Sequence, residues 1–231
     1  MLQIPRSHFT NMPDIKFFHA PGACSLAPHI LLHEAGLPYE PLLIQYNGTE
    51  IQFSPEYKNL NPKMRVPVIV VDGEVITELP AVCTVISQLA PAKNFMGKTP
   101  LDTVRVYEWM NYLSGTVHSA AFGHLFRPWR WTTDPDPKVH QGIKDKAREN
   151  VIQAFAYIES KLQREYAVGE ELTAVDAFLY PLYRWVGKRD IDLSVYPKYT
   201  ALVEALERRD SVQAVLKAEG IKAVRDLEKI E

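Results

Sequence analysis

The chain has 231 residues, of which 46% are hydrophobic, and a formal net charge of −2 at pH 7. This near-neutral charge gives no electrostatic basis for binding nucleic acid or an anionic membrane, and no apolar run is long enough to span a bilayer. The two cysteines, Cys24 and Cys83, stand in different local contexts, which argues against a disulfide framework and for a reducing, cytoplasmic location. No Cys/His spacing suits zinc, so no metal is expected. Residues 1–13 lack the apolar stretch of a secretory signal and are predicted to form a flexible extension.

The first elements of the chain place a cysteine at a strand-to-helix turn. Ile15–His19 is apolar enough for a short strand, which Pro21-Gly22 ends, and Ser25–Ala35 then has helical apolar spacing. Cys24 is therefore predicted to lie beside free backbone N–H groups at the positive end of a helix. Such a position stabilises a thiolate or another anion.

The next elements complete an α/β unit. Apolar runs predict three further strands, an Asp72-Gly73 hairpin joins the last two, and a helix with one apolar face follows. The strands are predicted at Tyr39–Gln45, Val66–Val71 and Val75–Thr77, the helix at Pro80–Leu89, and a loop with at most one short helix at 46–62. The order β-α-β-(α)-β-β-α is that of a thioredoxin-like domain, which we assign to residues 14–91, with a linker at 92–100.

From residue 101 to residue 231 the apolar spacing is helical, which predicts an all-helical domain. Thr173 and Asp176 form a capping-box variant that opens a very apolar, central helix at Ala177–Val186. The remaining helices are predicted from two apolar stripes and two shorter segments. The stripes are Val104, Tyr107, Met110 with Tyr112 or Leu113, and Ala147, Val151, Ala154, Phe155, Ile158, Leu162; the segments are Tyr199–Arg208 and Ser211–Glu219.

Four short segments follow one another in a characteristic order and spacing. They are Pro21–His29 (PGACSLAPH), Asn61-Pro62 followed by Val66-Pro67, Asp72-Gly73 followed by Ile76-Thr77-Glu78, and Leu172–Phe178 (LTAVDAF). Together these segments resemble the glutathione S-transferase family, most closely the bacterial cysteine-containing (beta-type) class, over residues 14–225. The resemblance implies a thioredoxin-like domain followed by an all-helical domain, a homodimer, and glutathione as co-substrate or cofactor.

The resemblance also implies a binding site for the γ-glutamyl end of glutathione. The backbone N–H groups where a helix opens at Thr77-Glu78-Leu79 would take the ligand carboxylate, and the Glu78 side chain would take its ammonium group. Leu79 departs from the serine of many relatives and keeps only the N–H donor. Without the surrounding motif, the plainer interpretation is favoured, in which Glu78 is a partner of the helix dipole.

The cysteinyl and glycyl parts of glutathione would bind at Val66-Pro67. In the family this proline is cis, and the backbone of Val66 pairs with the ligand like an added strand. Lys63 and Arg65 could meet the glycyl carboxylate. The other interpretation is an ordinary proline at the start of a strand, with a solvated basic rim.

The group that activates the glutathione sulfur is left open between Cys24 and Ser25. In cysteine-containing relatives the cysteine lies beside the ligand sulfur and can form a mixed disulfide, whereas a hydroxyl is the usual donor to the thiolate. His19 stands where a tyrosine is expected. Ala27 excludes the disulfide chemistry of a CxxC motif.

The electrophile is expected to bind against the segment HSAAFGHLFRPWRW, residues 118–131. Asn111 and His118 match polar positions of bacterial relatives. There the matching side chains make polar contacts near the sulfur or, from the neighbouring subunit, with the γ-glutamyl end of glutathione. Ser119 stands where these relatives have a lysine. His118 also fits an interhelical hydrogen bond. The candidate pocket is formed by His19, Phe122, Phe126 and Trp129, whose aromatic members fit the core equally well.

These assignments predict a glutathione transferase that activates the thiol for addition to a hydrophobic, electrophilic small molecule. Three alternatives use the same groups. They are a glutathione-dependent cis–trans isomerase acting by reversible addition to an activated alkene, a thiol transferase working through a Cys24–glutathione mixed disulfide, and a non-catalytic glutathione-binding or scaffold protein. No residue identifies the second substrate.

Overall fold

A computed structural model of the chain describes residues 12–46, 51–187 and 191–227. Its N-terminal half contains a four-stranded mixed sheet in the order β2-β1-β5-β6, in which β1 pairs parallel with β2 and antiparallel with β5. A separate antiparallel ribbon joins β3 to β4. The strands are β1 Ile15–His19, β2 Glu40–Leu43, β3 Gln45–Tyr46, β4 Ile51–Gln52, β5 Val68–Val71 and β6 Glu74–Thr77.

Nine α-helices lie within the described ranges, and the C-terminal half is entirely helical there. They are α1 Leu26–Ala35, α2 Pro55–Leu60, α3 Leu79–Leu89, α4 Pro100–Tyr112, α5 Gly123–Phe126, α6 Pro137–Lys161, α7 Ala174–Arg184, α8 Pro197–Glu207 and α9 Asp210–Glu219. The predicted fold class, a thioredoxin-like domain followed by an all-helical domain, is confirmed. None of these helices combines the length and the apolarity needed to cross a bilayer.

Two local predictions in the first half differ from the structure. The strand predicted at Tyr39–Gln45 divides into β2 and β3 on either side of Ile44, and β4 forms inside the segment predicted as a loop. The predicted extension at 1–13 lies outside the described residues, apart from Met12 and Pro13. The strand β1 and the Asp72-Gly73 turn, which has positive φ at both residues, are as predicted.

Helix α1 is the central element of the molecule. Every residue from Leu26 to Leu32 is buried, because the helix packs on the sheet, on α3, and on α7 and α9 of the helical half. The large hydrophobic cluster therefore includes Phe17 and Ile30 together with Phe178 and Val215. The two halves of the chain share one core.

The stripe predicted on α4 is only partly correct. Met110 and Leu113 are buried as predicted, but Val104 and Tyr107 are 60% and 42% exposed. The helix instead buries Val106 and Met110, and the burial then continues along a π-helical segment, Leu113–Phe122. The pattern failed because the apolar side chains of α4 lie on two faces.

The helical half is fixed by the capping box predicted before its central helix. Asp176 accepts hydrogen bonds from the Thr173 N–H at 2.7 Å and the Thr173 hydroxyl at 2.8 Å, and its other oxygen accepts one from the Ala167 N–H at 2.7 Å. Both Thr173 and Asp176 are structural, as predicted. The stripe on α6 is buried, and Cys83 is a fully buried residue of the core.

Candidate active site

The turn that carries Cys24 is held by the helical half on both sides. The Gly22 N–H donates to Glu219 Oε2 at 2.8 Å, and the Gly22 carbonyl accepts from Trp185 Nε1 at 2.9 Å. Gly22 has a φ of 67°, a conformation that glycine adopts without strain. Because Trp185 and Glu219 lie far along the chain, the short motif around Cys24 could not reveal either contact.

The Cys24 side chain is buried and its thiol is a hydrogen-bond donor. It is 6% exposed, and Sγ donates to the Val66 carbonyl oxygen at 3.3 Å. Burial raises the pKa of the Cys24 thiol to about 12, although the N–H groups of Cys24 and Ser25 and the charge of Arg127 act in the opposite direction. The helix start therefore does not ionise Cys24 itself, contrary to the expectation, because desolvation outweighs the nearby donors. Cys24 is a protonated thiol near neutral pH.

Ser25 uses its hydroxyl inside the turn. The Oγ accepts a hydrogen bond from the Ala20 N–H at 3.1 Å and donates to the Ala20 carbonyl at 3.2 Å, and the residue is fully buried. This geometry holds the strand-to-helix turn closed. It does not support the alternative in which the Ser25 hydroxyl points at a ligand sulfur.

Opposite Cys24, the Val66-Pro67 peptide bond is cis, as the resemblance implied. The segment is anchored one residue earlier, where the Arg65 carbonyl accepts from the Tyr57 hydroxyl at 2.6 Å and from Asn61 Nδ2 at 2.8 Å. Within the described ranges the Val66 N–H has no hydrogen-bond acceptor. The anchoring leaves a free backbone donor beside the Cys24 thiol.

The turn from β6 into α3 presents the second set of groups. Glu78 caps α3 with φ 71° and ψ 125°, a region that costs a non-glycine residue about 1–3 kcal/mol. Leu79 packs its side chain in the core, so this position offers a ligand its backbone N–H. Pro80 has no N–H, and the next donor of the first turn belongs to Ala81.

The Glu78 carboxylate is exposed but already has a cationic partner. Lys63 Nζ lies 2.5 Å from Glu78 Oε1 and 2.6 Å from the Thr77 hydroxyl. The lysine thus occupies the place predicted for a ligand ammonium group. Arg65, also expected near the ligand, hydrogen-bonds to the backbone carbonyls of Lys63 and Met64.

His118 lies in the π-helical segment, which is a rare conformation that often accompanies functional sites. Its ring contacts Trp185, with centroids 5.0 Å apart, and Phe178 at 6.1 Å. Burial lowers the pKa of His118 to about 4, and the charges of Arg127 and Arg65 act in the same direction. The imidazole is neutral near neutral pH.

Arg127 is a site residue that the sequence analysis missed. Its charge acts on both Cys24 and His118, and its Nε is buried without a hydrogen-bond partner among the described residues. It follows α5 directly and lies between Phe126 and Pro128. The sequence feature that could have indicated Arg127 is its place within an aromatic segment at the end of a helix.

Several predicted pocket residues lie elsewhere. Phe122 is a core residue, packed on Phe126 and Trp185, because it lies on the inner side of the π-helical segment. Trp129 is 45% exposed. His19 does not join Cys24 either, because its ring turns towards His29 and Glu219.

Asn111 lies on the outer face of α4. Its Nδ2 donates to the Tyr107 carbonyl one turn earlier at 2.7 Å, and the residue is exposed. Asn111 and His118 of the same chain therefore do not belong to one site. A contribution to a ligand would have to come from a neighbouring copy.

Comparisons with known proteins agree with this arrangement. The family model of the glutathione S-transferase N-terminal domain matches residues 22–89, and that of the C-terminal domain matches residues 118–210. A glutathione S-transferase of Xanthomonas campestris pv. campestris is 30% identical over 209 residues, which are 90% of this chain and all of the relative. A crystal structure of a glutathione transferase homologue from Sulfitobacter, with bound glutathione, has a TM-score of 0.82 at 28% identity and covers 90% of this chain and 99% of that one. The maleylacetoacetate isomerase of Rattus norvegicus is more distant, at 24% identity over 83% of this chain and 86% of the relative.

Proposed function

The chain belongs to the glutathione S-transferase family, and from that premise we propose that it activates the thiol of glutathione for addition to an electrophilic small molecule. The observation that carries this proposal is the pairing of the Cys24 thiol with the cis Val66-Pro67 segment. A protonated thiol donor and a free peptide N–H lie side by side there. That pair suits the sulfur and the cysteinyl peptide of glutathione.

In this proposal Cys24 acts as a hydrogen-bond donor. Because its pKa is raised to about 12, it keeps its proton, which moves from the Val66 carbonyl to form a hydrogen bond to the glutathione sulfur when the ligand binds. Donation to sulfur favours the ionised form of glutathione, and the charge of Arg127 favours it further. The thiolate then attacks an electrophilic carbon, forming a carbon–sulfur bond while the leaving group, or a proton taken up from water, balances the charge.

The γ-glutamyl end binds at the start of α3. Its carboxylate accepts from the N–H groups of Leu79 and Ala81, and its ammonium group displaces Lys63 from Glu78. The released Lys63 and the neighbouring Arg65 are then available to the glycyl carboxylate. The strained conformation of Glu78 supports this role, because such strain concentrates at ligand sites.

The electrophile lies on the helical side of the sulfur. Neutral His118 can accept or donate a hydrogen bond there, and Phe126 and Trp185 offer apolar surface. Arg127 provides a cationic donor, its buried Nε, which has no hydrogen-bond partner among the described residues. This mixture favours a hydrophobic substrate whose reacting carbon is activated by an electron-withdrawing group.

We also propose a homodimer in a reducing, cytoplasmic compartment. Both cysteines are free and buried, which fits a reducing environment. The outer face of α4 exposes Leu101, Val104 and Tyr107 together. Burial of this face against a second copy would bring Asn111 of one subunit towards its partner.

The test of the proposal is calorimetric titration of the full chain with reduced glutathione, followed by an assay with an activated aryl chloride. Binding together with formation of the thioether is the expected result. Binding without turnover against a panel of electrophiles would instead indicate the non-catalytic binding protein. Absence of binding would overturn the proposal.

The isomerase remains the second candidate, because distant relatives carry that name. It is distinguished by conversion of an activated cis alkene without consumption of glutathione. The thiol transferase is less favoured, since a buried thiol with a raised pKa is a poor nucleophile. Mass spectrometric detection of glutathione on Cys24 would reverse that preference.

A further inference from the structure

A second polar cluster adjoins the turn that carries Cys24, where Glu219 accepts a hydrogen bond from the Gly22 N–H. It brings together His19 at the end of β1, His29 in α1 and Glu219 at the end of α9. One ligand atom from each side chain lies within 4.8 Å of the others, and all three residues are buried. The glutathione chemistry described above uses none of these side chains.

We propose that this cluster, the His19–His29–Glu219 site, binds a divalent transition-metal cation such as Zn²⁺. Two imidazoles and one carboxylate are a ligand set that such cations bind, leaving a fourth position open. The three residues are brought together by the fold from positions 19, 29 and 219. Their separation explains why the search for local Cys/His spacing found no metal site.

Two of the three distances between ligand atoms are near those around a cation of this size. His19 Nδ1 lies 3.5 Å from Glu219 Oε1, and two ligands of a tetrahedral zinc ion are separated by about 3.3 Å. His29 Nδ1 lies 2.7 Å from the same oxygen, so these two atoms need to separate by roughly 0.6 Å. The proton that joins them leaves to water when the metal binds.

Without a cation, Nδ1 of His19 has, among the described residues, only the long 3.5 Å contact to Glu219 Oε1. Nδ1 of His19 is buried and has no hydrogen-bond partner in the described part of the chain. An unpaired buried polar group costs about 1–3 kcal/mol. A cation shared with Glu219 would remove that cost.

The surrounding contacts are those that orient metal ligands. His29 Nε2 lies 2.7 Å from the Tyr39 hydroxyl, and Glu219 Oε2 accepts from the Gly22 N–H at 2.8 Å. With these outer atoms engaged, Nδ1 of His29 and Oε1 of Glu219 are directed at the centre of the cluster. Partners of this kind fix the tautomer and orientation of ligands in metal sites.

A route to the site is present. A cavity of about 520 Å³ is lined by His19 and His29 and, further out, by His33, Tyr39 and Leu43. Leu43 is exposed, so the cavity reaches the surface. A cation could enter through it, and the fourth ligand would be a water molecule in the cavity.

The test is zinc titration of the full chain, in competition with a chromophoric chelator, for wild type and three variants. We expect one equivalent to bind wild type, and His19→Gln and Glu219→Gln to weaken binding by about tenfold or more. His33→Gln is the matched control, because His33 lines the same cavity outside the cluster, and it should stay within about twofold of wild type. Loss of binding in His33→Gln but not in His19→Gln would overturn the proposal.

A measurement on wild type removes any dependence on how the variants fold. Anomalous diffraction from zinc-soaked crystals should give a peak between the three side chains, and Co²⁺ should show visible bands of tetrahedral character. A peak at another position, or none, would contradict the proposal. Neither readout depends on glutathione, so this site and the proposed transferase activity can fail independently.

Discussion

The thiol of Cys24 donates a hydrogen bond to the carbonyl oxygen of Val66, with 3.3 Å between sulfur and oxygen. The contact joins the start of α1 to the cis-proline segment. It shows that the thiol of Cys24 carries its proton. A buried Cys24 with its pKa raised to about 12 is a donor and not a thiolate. The catalytic thiolate is therefore expected on glutathione.

Removing this donor should raise the pKa of bound glutathione. Because a hydrogen bond to a charged group contributes about 1.5–3 kcal/mol, Cys24→Ala should raise that pKa by about one to two units. Cys24→Ser keeps a donor and should stay close to wild type. The measurement is the ultraviolet absorbance of the bound thiolate as a function of pH.

Cys83→Ala is the control for the Cys24 variants, because it removes the other buried thiol, which lies in the core. It should leave the pKa of bound glutathione unchanged. If Cys24→Ala has the pKa of wild type, another group stabilises the thiolate.

His118 should remain neutral far below the usual histidine range. Its pKa is lowered from 6.5 to about 4, first by burial and then by Arg127 and Arg65. The pH dependence of its ring protons in an NMR titration should therefore show no inflection between pH 6 and 7. Arg127→Gln should move the inflection upwards.

The same shift has a consequence for stability. A histidine whose pKa is depressed by folding stabilises the native state above pH 6.5, and this contribution is lost as the pH falls towards 4. The free energy of unfolding should fall by up to about 3 kcal/mol over this window. Denaturant unfolding of wild type and His118→Gln at pH 7 and pH 5 gives the difference, and an equal loss in both would count against the assignment.

Glu78 and Lys63 should affect glutathione binding in opposite directions. Glu78→Gln removes the charge that meets the ligand ammonium and should raise the Kd about tenfold or more. Lys63→Met removes the competing cation beside Glu78. It should leave the Kd unchanged or lower it, because Arg65 is still present for the glycyl carboxylate.

Calorimetric titration of both variants decides between these cases. Lys58→Met is a matched control, because it removes an exposed lysine of α2 for which no ion pair is found in the described ranges. A Kd of Glu78→Gln equal to that of wild type would show that Glu78 acts only as the cap of α3.

A charge on the outer face of α4 should dissociate the proposed dimer. Val104→Lys places a cation among exposed apolar side chains at the centre of that face, which an interface would have to desolvate. Light scattering should then report monomers. Val195→Lys alters a residue of equal exposure, 59%, outside α4 and should leave the dimer intact.

Local patterns predicted the elements well wherever one face of a strand or helix is buried. The strand Ile15–His19 and the stripe on α6 follow from periodicity, and the Thr173–Asp176 cap follows from spacing. The pattern failed on α4, because Val104 has the right spacing for a core face but lies on the outside of the chain. Periodicity identifies an apolar face and does not identify what covers it.

The candidate site likewise contains residues that local sequence patterns indicate and residues that they do not. Cys24, Val66 and Glu78 lie in short contiguous motifs, so the sequence could nominate them as site residues. Arg127 and Trp185 reach the site only through the packing of α5 and α7, and no spacing in the sequence joins them to Cys24. The choice between Cys24 and Ser25 stayed open in the sequence, because the closure of the turn by Ser25 through Ala20 is visible only in three dimensions.

The position of α1 has a consequence for how this molecule can be divided. A fragment ending at residue 91 would retain the cysteine turn and the sheet but would expose to water the side of α1 that packs on α7 and α9. We expect such a fragment to aggregate, and the intact chain to melt in a single calorimetric transition. On this expectation the two halves unfold as one cooperative unit, and exchanging either half with that of a relative would require exchange of the surface that packs on α1.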